Sequence, residues 1–191
     1  MLFSRTDVAS YINENYEPVW QSLRPVPILQ IDFGNGSKLT RTLNGNIATY
    51  ALSSDGQVLD VLPGIYEPRS YLANLEKMHE LSKFSKDSAG LMQYHKASLK
   101  APALKLEKAH KIEGLSLARG ESLTDVDRGF FEDTFINETL RRKQIHIKLA
   151  AAPTNSLELK NWLYREVLHC DLSDPYLGLS KTLFASYPFK D

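Results

Sequence analysis

A thiol, an imidazole and a carboxylate stand side by side in His169-Cys170-Asp171, the residue types of an activated thiolate nucleophile. Consecutive residues leave a helix end on different faces, so the triplet reads first as a structural cysteine with Asp171 capping the next turn. A second group follows Asp133-Thr134-Phe135-Ile136-Asn137-Glu138 and continues through Arg141, Arg142 and His146. Glu138 to Arg142 and Arg142 to His146 are i, i+4 pairs, and Glu138 to Arg141 is an i, i+3 pair. Asp133, Asn137, Arg141 and His146 therefore belong to a polar helical stripe with the groups for acid–base chemistry. The ordinary reading of such a stripe is a solvated salt-bridge face, and that is the expectation here. The five histidines, His79, His95, His110, His146 and His169, contain no pair three or four apart and no HExxH. That spacing predicts no metal site, and no other cofactor motif is present. Gly34-Asn35-Gly36 and Gly45-Asn46 lack the Lys-Ser/Thr ending of a phosphate cradle and read as turns.

The elements that must position these residues are legible from turns and caps. Thr6 with Asp7 predicts a capped helix ending near Asn15. Pro18, Pro25 and Pro27 impose an extended stretch, with Val19-Trp20 as a short strand. Alternating residues 28–33 and 38–43 around Gly34-Asn35-Gly36 predict a hairpin, and 47–52 with 57–62 around Ser53-Ser54-Asp55-Gly56 predict a second. Glu67-Pro68 opens a helix reaching Phe84, with Tyr71, Leu72, Leu75, Met78, His79 and Leu81 near one stripe. Residues 77–119 hold nine Lys and Arg against four Asp and Glu and are broken by Gly90, Pro102 and Gly114. Further helices are expected over 124–149 and 156–169, the latter capped by Asn155 with Glu158. The Leu-, Tyr- and Phe-rich tail 171–189 is expected to dock as a short helix, and Trp20 and Trp162 to lie in core or interdomain contacts.

With 191 residues, 42% hydrophobic and 24% charged, the chain has a globular composition and enough length for a real core. Its 23 basic residues balance 23 acidic ones, so no overall field draws it to nucleic acid or anionic lipid. A single cysteine excludes an intramolecular disulfide and a CxxC pair. No long apolar run or signal-peptide pattern is present, which predicts a cytoplasmic protein that does not enter membranes.

The order helix, strand, added hairpin, strand, Asp-Gly turn, strand, helix over the first 84 residues resembles the thioredoxin-like fold. The wording is closest in Asp7-Val8-Ala9-Ser10-Tyr11-Ile12-Asn13 through Val19, and in Tyr50-Ala51-Leu52-Ser53-Ser54-Asp55-Gly56-Gln57-Val58-Leu59. With Asn161-Trp162-Leu163-Tyr164-Arg165-Glu166 and Asp174-Pro175-Tyr176-Leu177, the chain resembles a set of bacterial proteins that pair such a domain with a helical extension. The resemblance implies an α/β protein. A truncated thioredoxin-like domain would fill 1–84, a basic helical connection 85–120, and a helical carboxyl-terminal region 121–191, packed on the first domain. It also implies that the fold's first strand is missing or replaced.

Two departures shape the functional expectation. The first-helix region offers Phe3, Ser4 and Arg5 where the family places its thiolate, and Gly45-Asn46-Ile47-Ala48 stands where the family places a cis-proline. Dithiol exchange by one chain is thereby excluded. The leading expectation is a non-redox module that binds another protein. The alternatives are an enzyme with a polar site between the two parts, drawing on Asp133, Asn137, Arg141, His146, His169 and Cys170, and a single-thiol sensor acting through Cys170.

Overall fold

The computed structural model describes residues 2–23, 25, 28–42, 47–100 and 133–174. The expected turn at Gly45-Asn46, the connection beyond residue 100, the helix start at 124 and the tail after 174 lie outside the described residues. The architecture is mixed α/β. Two antiparallel hairpins, β1 (Ile28–Asp32) with β2 (Lys38–Thr42) and β3 (Ala48–Leu52) with β4 (Val58–Pro63), accompany helices α1 (Thr6–Asn15), α2 (Pro68–Glu80), α3 (Ser88–Ser98), α4 (Arg142–Ala151) and α5 (Ser156–Trp162).

Both hairpins form where glycine supplies positive φ, at Gly34 and Gly36 in the first and Gly56 in the second. Their fates differ. β4 is buried along its whole length and divides the interior into two apolar clusters. Val58 and Val61 face Ile145, Leu149, Leu159, Leu163 and Val167, whereas Leu59 and Leu62 face Val8, Tyr71, Leu75, Met78 and Leu91. The chain returns to this hairpin at Thr154, whose carbonyl accepts from Val58 N at 2.9 Å, and at Asn155, which bridges Gln57. β1 and β2, in contrast, pair with each other in a separate two-stranded sheet.

Caps follow local chemistry, with one correction. The Glu67 carboxylate accepts from Arg69 N and Ser70 N at the start of α2, and Asn155 Oδ1 accepts from Glu158 N at 3.0 Å at the start of α5. Thr6, expected as a cap, is instead the first residue of α1, after an Arg5 that makes no side-chain cap. Asp7, ion-paired with Arg5 at 2.9 Å, accepts from Val8 N at 2.9 Å and takes over that role.

Val19-Trp20, expected as a short strand, forms none. Trp20, expected in a core contact, is 84% exposed; Trp162 is half-buried against the α4–α5 cluster. The proline-dense stretch explains the first difference. Prolines remove the donors a ladder needs, so the segment crosses the surface without a pairing partner among the described residues.

Candidate functional site

β4 carries one charged residue, Asp60, in the apolar run Val58-Leu59-Asp60-Val61-Leu62. A carboxylate buried in such a strand is tolerable only when paired and hydrogen-bonded. Its partner arrives from the start of α4: Arg142 Nη2 donates to Asp60 Oδ2 at 2.7 Å and Arg142 Nη1 to the Val61 carbonyl at 3.1 Å. Asp60 Oδ1 accepts from Val61 N at 2.8 Å. Arg142 Nε lies 4.0 Å from Glu138 Oε2, whose other oxygen accepts from Asn74 Nδ2 at 2.8 Å.

Two histidines complete the group. α3 buries only Leu91 and His95, four residues apart on one face, and packs along α4, which presents His146. His95 Nε2 lies 3.1 Å from the Leu59 carbonyl, and its Nδ1 lies 2.9 Å from Nδ1 of His146. A carbonyl only accepts, so Nε2 carries the His95 proton and its Nδ1 offers a lone pair to the Nδ1–H of His146. Tyr94 stands edge-on to both rings.

Desolvation pushes both imidazoles toward the neutral form, against the pull of Asp60, and lowers His146 to about 4. Burial pushes the Asp60 carboxyl upward, but Arg142 and the nearby imidazoles outweigh it and hold Asp60 below the usual carboxylate range. Burial opposes the charge of Arg142, which Asp60 and Glu138 nevertheless keep firmly protonated. Nearby, the buried hydroxyl of Tyr66 makes no hydrogen bond among the described residues, and burial raises its pKa well above the ordinary tyrosine value.

The segment before α4 binds the other end of β4. Residues Asn137–Arg141 form a π turn, with Arg142 N donating to the Asn137 carbonyl. Widening the turn to i, i+5 carries Asn137 and Arg142 to the same side, where regular helical spacing would separate them. Asn137 Nδ2 donates to the Ile65 carbonyl at 2.7 Å, Arg141 Nη1 to Asn137 Oδ1 at 2.7 Å, and Glu67 N to Thr134 Oγ1 at 2.7 Å. Gly64, at φ +81°, makes this approach possible: a Cβ there would lie 3.0 Å from the Asn137 amide and 3.1 Å from Arg141 Nη1.

The stripe read as a solvated face is thus divided. Asn137, Arg142 and His146 are buried, Arg141 is half-buried and Asp133 is exposed. The physical reason is Asp60, which requires a cation inside the fold. Asn137, Arg141 and His146 all lie at the junction of the two chain regions. His169 and Cys170 are elsewhere: His169 is exposed at φ 51°, whereas Cys170 is fully buried in the α4–α5 cluster, its amide donating to the Tyr164 carbonyl at 2.7 Å. Adjacency in the chain gives no dyad there. Asp171 accepts from Ser173 N and Oγ, as a turn-capping residue does.

The spacing argument considers only residues close in sequence and does not reach a group assembled from three elements. Asp60, His95 and His146 place one ligand atom each within 4.8 Å of one another. Two signals pointed there: a lone aspartate in an apolar strand, and a histidine on the apolar stripe Leu91-His95.

A second region has the opposite character. Val19, Trp20, Ile28 and Phe33 are 90%, 84%, 64% and 60% exposed, and Ile31 is also exposed. All lie on the proline-dense segment or on β1 and its turn. Among the described residues no helix is long and apolar enough to cross a membrane. Compared with protein-family models, curated proteins and solved structures, the chain matches none.

Proposed function

We infer that the protein is a non-redox protein-interaction module whose contact surface is the β1–β2 hairpin together with Val19-Trp20. The observation that carries this reading is that Val19, Trp20, Ile28 and Phe33, all more than half exposed, follow one another on a stretch of chain outside the two apolar clusters, whereas Leu140, Ile147 and Leu157, also exposed, stand on or beside the helices that build one of those clusters. A two-stranded sheet is marginal in water by itself, and its edges, unpaired among the described residues, can take a further strand. Aromatic and aliphatic anchors beside such an edge are what a protein partner would bury. The thioredoxin-like resemblance of residues 1–84, taken as a scaffold used for binding, belongs to the same proposal, although β1–β2 and β3–β4 form two separate sheets.

The two alternatives carry less. At the junction, Asp60 and Arg142 are buried and already pair with each other, so neither offers an unpaired charge to a substrate. Cys170 offers a buried thiol no surface to an oxidant.

The test is capture from native lysate with tagged wild-type protein and with Trp20→Ser/Phe33→Ser, after matching their thermal unfolding. The reading expects a stoichiometric protein partner retained by the wild type and lost from the variant. Equal capture by both proteins, or no partner for the wild type, would overturn it.

A further inference from the structure

Burial of Asp60 explains Arg142, but it does not explain two histidines with touching Nδ1 atoms. Asp60 already has two donors, from Arg142 Nη2 and Val61 N. An apolar pair at positions 95 and 146 would fill the same space between α3 and α4 without burying polar rings. Their arrangement does suit a third party that accepts lone pairs.

We propose that Asp60, His95 and His146 form a binding site for one divalent transition-metal ion of the zinc type. The three ligand atoms lie within 4.8 Å of one another, and the two Nδ1 atoms are 2.9 Å apart. Metal–nitrogen bonds near 2.0–2.1 Å place adjacent ligand atoms about 3.0–3.4 Å apart, so the imidazole pair already stands at close to that separation. The Asp60 carboxylate completes the set with an approach of about an ångström or more.

The surrounding bonds orient the ligands as outer groups of metal sites do. His95 Nε2–H is held by the Leu59 carbonyl, which fixes the tautomer that turns the Nδ1 lone pair toward His146. Asp60 is held by Arg142 and by the Val61 amide. His146 Nε2 makes no hydrogen bond among the described residues. The proton now on His146 Nδ1 moves to Nε2 through solvent when the metal enters, so coordination needs no net proton release. The site's charge also favours a cation: Asp60 and Glu138 stand against Arg142, leaving one negative charge among these three groups. Two imidazole nitrogens and one carboxylate are borderline ligands, which select zinc-like ions over calcium and magnesium, whose sites are all oxygen. With three protein ligands, a fourth position remains for water or another donor.

The test uses the full chain, stripped with a chelator and then titrated with Zn2+, and with Co2+ as a spectroscopic substitute. Retained metal is measured after gel filtration for the wild type, His95→Gln and His146→Gln, and imidazole nitrogen shifts are followed in the wild type by NMR. The expected result is one equivalent retained by the wild type, a tetrahedral Co2+ spectrum, and Nδ1 shifts confined to His95 and His146. Loss of an outer group from a metal site costs 10–100-fold in affinity, so loss of either ligand should weaken binding by at least about 100-fold. The NMR result stands even if a variant fails to fold. The proposal is overturned by no retained metal in the wild type, by undiminished retention in folded variants, or by shifts at His79, His110 or His169 instead.

Discussion

The two hairpins start from the same local chemistry, alternating residues around a glycine turn, and end in opposite environments. In β3–β4 the second strand is buried throughout, dividing two apolar clusters and carrying a carboxylate that draws Arg142 inward, while β3 is half-buried beside it. β1–β2 keeps Ile28, Ile31 and Phe33 at the surface beside Trp20. Hairpin patterning therefore specifies the strands but not their fate. The inserted Asp60 marks the strand with internal partners, and exposed apolar side chains mark the hairpin proposed as the contact surface.

The sharpest way to break the enclosed half of this contrast is Arg142→Met. It strands Asp60 as an uncompensated buried charge, and denaturant unfolding should show a loss of about 3–5 kcal/mol. The double variant Asp60→Asn/Arg142→Met should recover a good part of that loss, since the charge is then gone as well. An additive double variant would mean that the pair is not coupled.

Acid should expose the same junction. Burial lowers His146 to about 4 in the fold against an ordinary 6.5. Between those values the unfolded chain binds a proton that the native state refuses, so stability is full above 6.5 and falls as the pH drops toward 4. The loss is about 3 kcal/mol for this group at the scale of 1.36 kcal/mol per pKa unit, with His95 adding in the same direction. Asp60, Glu138, Arg142 and Tyr94 surround the pair; of these, Asp60 is held below the ordinary carboxylate range and loses its contribution only at still lower pH. Thermal unfolding followed from pH 7 to pH 4 should show this slope, and His146→Gln should flatten it.

Gly64→Ala tests the approach of the π turn to the end of β4. A left-handed backbone and a Cβ at 3.0 Å from Asn137 together predict a loss of about 1–3 kcal/mol by denaturant unfolding. Gly56→Ala shares the positive φ but meets nothing within 4 Å, and should cost less.

The exposed half predicts the smallest change in stability. Trp20→Ser and Phe33→Ser should each shift unfolding by no more than about 0.5 kcal/mol, as surface substitutions do. Their effect should instead fall on partner capture. A large loss of stability would show that these side chains serve the core.

Much of the framework was legible because it is written locally. Gly34-Asn35-Gly36, Asp55-Gly56, Glu67-Pro68 and Asn155 with Glu158 each fix a turn or cap through neighbouring residues. The junction was legible only in part. Asn137, Arg141 and His146 stood out as polar groups on one stretch, yet regular helical spacing cannot show the π turn that brings Asn137 and Arg142 together. The His95–His146 contact spans 51 positions and depends on α3 packing along α4, which no local pattern encodes. Trp20 was misplaced because its size suggested a core, whereas the prolines around it hold the segment at the surface.

The most direct measurement of the contrast is hydrogen exchange along the full chain under native conditions. Amides of β4 and α4 should exchange only through opening free energies near that of global unfolding, while those of β1 and β2 should open with free energies near zero. Protection of the β1–β2 amides equal to that of β4 would contradict the account, because the hairpin would then be part of the enclosed body and not a surface held ready for a partner.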